Sequence, residues 1–182
     1  MKLVSETKSI ERLSAVRENF RSKISKFEAR AKSCSTCTTQ GACCLDAHFV
    51  NVRVSRLEAV AIAQAIGQLD PIHRTNVRRR MVDAIARFHL DESTDATYTC
   101  PLYQIGVGCL VHETAKPLAC IAHACYESTD ELPPEDLLDD AEAEIDNLNR
   151  RSYGNMTTLL PIPIALQRAQ VSSSNDAAFH LE

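Results

Sequence analysis

The chain has 182 residues, 45% apolar and 24% charged, with a formal net charge of -4. That suffices for one domain with a proper core, excludes wholesale disorder, and leaves no run of about 20 apolar residues for a membrane-spanning helix. Five glycines, nine aromatics and no tryptophan exclude an all-β domain, which needs turn glycines and bulky strand residues.

The N-terminal stretch MKLVSETKSIERLSAVRENF is charged throughout and lacks the apolar segment of a signal peptide, so a cytoplasmic protein is expected. Ile10, Leu13, Phe20, Ile24, Phe27 and Ala31 recur at helical spacing and predict an amphipathic helix over 9–32. At 1.5 Å per residue it would be about 36 Å long. Such a stripe predicts an extended apolar contact, either within the chain or with a protein partner or homodimer.

The helix ends at a cysteine-dense stretch containing Cys34, Cys37, Gly41, Cys43 and Cys44. A weakly alternating segment then predicts a short strand over 49–54. Ser55 and Glu58 form a capping box that opens a helix over 56–69. A further helix over 71–90 buries Val77, Met81, Ile85 and Phe88 and turns Arg74, Arg78 and Arg79 the other way. The run Arg78-Arg79-Arg80 could meet nucleic acid. It has no interleaved aromatic residues and reads as a solvated face.

After a polar loop at 91–99, two glycines among short apolar runs predict a small hairpin over 105–111. Pro117 then starts a short helix bearing Cys120, with Cys125 at its end. Pro133-Pro134 opens an acidic helix over 134–149, with Leu137, Leu138, Ala141, Ile145 and Leu148 inward and Glu135 and Asp136 suiting its dipole. Pro161 and Pro163 break the pattern, and 172–175 reads as a loose tail. The expected fold is mainly α: a small helical domain around a cysteine-rich knot, with at most a short β-hairpin. It divides into an N-terminal helix (1–33), a cysteine-cluster core (34–126) and an acidic helix with a tail (127–182).

Charge is unevenly distributed. Residues 1–90 hold 16 Lys/Arg against 8 Asp/Glu, and residues 91–182 hold 4 against 16. Two complementary halves of one fold would account for this.

The eight cysteines fall into two groups, C-x2-C-x5-C-C (Cys34, Cys37, Cys43, Cys44) and C-x8-C-x10-C-x4-C (Cys100, Cys109, Cys120, Cys125). Disulfides do not normally persist in reducing compartments. A C-x2-C pair lets two thiolates reach one metal from a tight turn, so thiolate coordination by all eight is expected. Adjacent side chains such as Cys43 and Cys44 diverge, which disfavours one simple tetrahedral zinc and narrowly favours an iron–sulfur cluster over Zn2+. His48, His112 and His123 lie near enough in sequence to complete a coordination sphere.

At these residues the chain resembles the YkgJ-like cysteine-cluster family of zinc- or iron-chelating domains, related to flagellin lysine N-methylases. The resemblance spans roughly 34–126. It rests on Cys34, Cys37, Gly41, Cys43 and Cys44, on Cys100-Pro101-Leu102, and on Cys109, Glu113, Pro117 and Cys120. His112, Lys116 and Ile121 stand where the family has tyrosine, arginine and arginine. The resemblance implies metal binding and makes methyl transfer one reaction to consider. No glycine-rich nucleotide loop follows a strand, which argues against an independent methyltransferase.

Three functional readings remain. The first is a metal–thiolate protein that is an enzyme or an enzyme's accessory subunit. The second is a structural zinc module for protein interaction. The third is a thiol redox or metal-trafficking protein using Cys43 or Cys44.

Overall fold

The structure, a computed structural model, describes residues 3–31, 39–45, 50–92, 95–123, 126 and 128–169. Its α-helices are α1 (Glu6–Glu28), α2 (Ala42–Leu45), α3 (Arg56–Gln68), α4 (Pro71–Phe88), α5 (Leu118–Ala122), α6 (Glu135–Tyr153) and α7 (162–169), and a 3-10 turn lies at Thr129–Glu131. Four two-residue strands accompany them: β1 (Arg53–Val54), β2 (Tyr103–Gln104), β3 (Gly108–Cys109) and β4 (Leu160–Pro161). The chain is mainly α.

Ser5 caps α1, its side chain accepting the Lys8 N–H at 3.4 Å. Leu13, Val16, Phe20 and Ile24 are buried, and Phe27 is half-buried at the edge of the same cluster. The stripe packs chiefly on α6, with α3 and α5 beside it, so it is covered within the chain. The start of α1 is tied to the end of α6. Tyr153 Oη donates to Glu6 Oε2 (2.7 Å), the Val4 N–H donates to Arg151 O (2.9 Å), and the Arg56 guanidinium lies over the Tyr153 ring at 4.1 Å. α1 carries six Lys/Arg and four Glu, and α6 carries seven Asp/Glu and two Arg, so the two packed helices have opposite net charge.

α3 stands between two cores. Leu57 and Ala61 join α1, α5 and α6, whereas Ile62, Ala65 and Ile66 join Val77 and Met81 of α4. Its first turn leaves backbone donors that the helix itself cannot satisfy. The Ser55 Oγ accepts the Glu58 N–H, Glu58 Oε2 accepts the Ser55 N–H, and Asn149 of α6 accepts the Leu57 N–H at 3.0 Å. The expected capping box is present.

The C-terminal part departs from expectation. Pro161 and Pro163 do not break the structure: β4 pairs antiparallel with β1 (Arg53 opposite Pro161, Val54 opposite Leu160), and α7 buries Ile162, Ile164, Ala165 and Leu166. A proline is tolerated at an edge and in a helix's first turn, where no N–H is needed. Tyr98 locks this region. It is fully buried, donates through its hydroxyl to Val52 O, and accepts the Ile162 N–H at 3.0 Å. The predicted strand over 49–54 narrows to β1, and the predicted hairpin shifts to β2–β3, with Tyr103 opposite Cys109 and Gln104 opposite Gly108.

Candidate metal centre

Gly41 precedes α2 in a left-handed conformation, φ 76°. A Cβ there would overlap the Tyr103 ring, so only glycine lets the loop lie flat on that ring. The turn carries Cys43 and Cys44 into α2, with the Cys44 N–H donating to Gly41 O at 2.8 Å. Across from it, the Cys100 N–H donates to Cys44 O (2.8 Å) and Thr99 Oγ1 donates to Leu45 O (3.1 Å). The two cysteine groups, distant in sequence, are thus joined backbone to backbone.

The hairpin and α5 bring the remaining described sulfurs. The nearby backbone N–H groups of Leu102 and Tyr103 favour the Cys100 thiolate, and that of Val111 favours the Cys109 thiolate. Cys120 sits in the middle of α5. Cys43, Cys44, Cys100, Cys109 and Cys120 are all free thiols. Burial pushes the Cys100 thiol up to about 12, with the neighbouring Cys120 adding to it. Cys120 is likewise pushed up to about 12, by burial and then by Cys109. Cys44 is raised by burial, then by Cys100, Cys43 and Cys109. Burial and this mutual opposition keep Cys44, Cys100 and Cys120 neutral near pH 7.

Cations do surround them. Arg17, on α1, is 4% exposed. Its Nη2 lies 3.6 Å from Glu58 Oε1, and its charge is felt at Cys120. Glu58 Oε1 also accepts the Leu118 N–H at 3.1 Å, which fixes the start of the helix bearing Cys120. Arg80, on α4, donates from Nε to Pro101 O at 2.8 Å and faces Cys100 electrostatically. Lys116 favours the thiolates of Cys109 and Cys120.

Of the eight predicted ligands, Cys43, Cys44, Cys100, Cys109 and Cys120 are described, and each lies within electrostatic range of at least one other. Cys34, Cys37 and Cys125 lie outside the described residues, as do His48 and the tail. Among the described residues, no three Cys, His, Asp or Glu side chains are arranged to hold a metal ion. His112 is exposed, its Nε2 3.6 Å from Glu113, and His123 is exposed just beyond α5. A separate cleft of about 390 Å3 beside α5 and α6 is lined by Glu58, Asp139, Glu142 and Asp146 among others.

Sequence reasoning missed the cations. A signal for Arg17 existed, because it fills the seven-residue gap between Leu13 and Phe20 on the apolar stripe. Arg80 was hidden in the Arg78-Arg79-Arg80 run, of which Arg78 and Arg79 are exposed and Arg80 is half-buried. Compared with family models, curated proteins and solved structures, the chain has no match in any of the three.

Proposed function

We propose that the protein is a cytoplasmic metal–thiolate protein, with an iron–sulfur cluster preferred over Zn2+, acting as an enzyme or as an enzyme's accessory subunit. The observation that carries the reading is the junction of Cys44 with Cys100 through their backbones. It gathers thiols from three chain segments into mutual electrostatic range. The backbone N–H groups near Cys100 and Cys109 favour thiolate, the form a soft metal takes. A bound cation would offset the burial, and then the mutual repulsion, that keep Cys44, Cys100 and Cys120 protonated. Since the described residues do not supply a ligand set alone, the reading turns on Cys34, Cys37 and Cys125. The YkgJ-like resemblance rests on the same residues and adds to the proposal.

The raised thiols count against a reactive Cys44, because a nucleophilic cysteine needs a lowered pKa. The structural zinc module remains the second reading, favoured by the way the cysteine segments tie α2, the hairpin and α5 together. Protein purified without oxygen separates the two. Brown protein with broad visible absorption and bound iron supports the cluster; colourless protein with stoichiometric zinc supports the module; protein free of both metals defeats both.

A further inference from the structure

One side of α4 enters the core through Val77, Met81 and Ala84. On its other side Ile72, Thr75, Arg79, Val82 and Ala86 are all exposed and recur at spacings of three and four, the seam by which one helix meets another. Ile72 and Val82 are 68% and 61% exposed. Exposed Arg78, Arg87 and Asp83 flank the seam, so with Arg79 the face holds three cations and one anion.

α6 has the opposite kind of face. Its Ala141, Ile145 and Leu148 are buried with α1, whereas Glu135, Asp136, Asp139, Asp140 and Glu144 are exposed. No lysine or arginine occurs between 117 and 149, and exposed Ala143 permits close approach at the middle of the face. None of these charges on either helix makes an ion pair among the described residues. α3 stands between the two helices, with α4 in one core and α6 in the other. The match between the two faces is therefore open to two chains and closed to one.

We propose that the outer face of α4 docks on the acidic outer face of α6 of a second copy of this chain. Pairing α4 with α4 would oppose like charges. α6 offers the other sign over a similar length, 19 residues against 18, each about 28 Å. The contact uses different surfaces on the two copies, so each copy keeps one face free for the next. Exposed ion pairs are individually weak and screened by salt, so the association is reversible and salt-sensitive. The proposal goes beyond the metal–thiolate reading and does not rest on it.

Sedimentation equilibrium of the full chain under reducing conditions tests it, at about 0.01 M and about 1 M salt, where charges are screened over about 30 Å and about 3 Å. In low salt the mass should rise with concentration, and in high salt the chain should be monomeric. Arg78→Glu/Arg79→Glu and Asp140→Lys/Glu144→Lys should each be monomeric in low salt. Their equimolar mixture should associate again, because one supplies an intact α6 face and the other an intact α4 face. Should a reversal fail to fold, Arg78→Gln/Arg79→Gln and Asp140→Asn/Glu144→Gln decide, each weakening association about tenfold. A wild type that is monomeric in low salt overturns the proposal, whether or not α4 then takes a nucleic acid. Association that survives Asp140→Lys/Glu144→Lys overturns α6 as the occupant, and association indifferent to salt overturns its electrostatic basis.

Discussion

Gly41 is the residue on which the cysteine neighbourhood hinges. Its left-handed backbone and its place against the Tyr103 ring both exclude a side chain. Gly41→Ala should therefore cost about 2–4 kcal/mol, combining the left-handed penalty with overpacking. Denaturant unfolding of the single variants Gly41→Ala and Tyr103→Ala and of the double variant separates the two parts. The steric part should vanish in the double variant and the backbone part remain, so strict additivity would contradict the ring contact. Other single residues have equally specific tasks: Tyr98 bonds Val52 and Ile162, and Asn149 joins α6 to the first turn of α3.

At the scale of elements, the α1 stripe and the acidic α6 each support a prediction. Phe20 is 2% exposed between α1 and its neighbours, so Phe20→Asp should destabilise by at least about 3 kcal/mol. Unchanged thermal unfolding would contradict its burial. On α6, burial, then Asp139 and Glu58, push the Glu142 carboxyl above its ordinary value of 4.5. A carboxyl with a raised folded-state pKa binds its proton more tightly when folded, so its contribution is most favourable in acid and is lost as pH rises. Glu142→Gln should then melt higher than wild type at pH 7, with the gain disappearing as pH falls below 4.5. A gain that persisted in acid would point to packing instead of charge.

These elements were legible to different degrees. The capping box at Ser55 and Glu58 is local chemistry, and α3 begins where it says. The spans of α1, α4 and α6 follow from apolar periodicity and end within a few residues of expectation. β4 and α7 were not legible, because β1, the partner of Pro161, lies far away in sequence and two prolines mimic an irregular segment. The site divides in the same way. Cysteine spacing pointed to one neighbourhood, whereas the arginines around it became visible only once α1 and α4 were packed. Glu58 illustrates why: a helix cap by sequence, it also receives the Leu118 N–H and faces Arg17, roles that need three elements together.

For the whole molecule, one arrangement does two jobs. α3 separates an α1–α5–α6 core from an α4–β1–β4–α7 core, and the cysteine segments run from one to the other, Cys44 and Cys100 beside the second and Cys120 on α5 in the first. A metal shared by these segments would close a long loop and add its binding energy to folding. Metal loss and fold loss should then go together. The most direct test is metal content per chain and melting temperature for anaerobically purified wild type, Cys37→Ser and Cys120→Ser. The account predicts stoichiometric iron or zinc in wild type, and less metal with a lower melting point in both variants, because serine is a poor ligand for a soft metal. Retained metal and unchanged melting in both variants would contradict a site shared between the two cysteine groups.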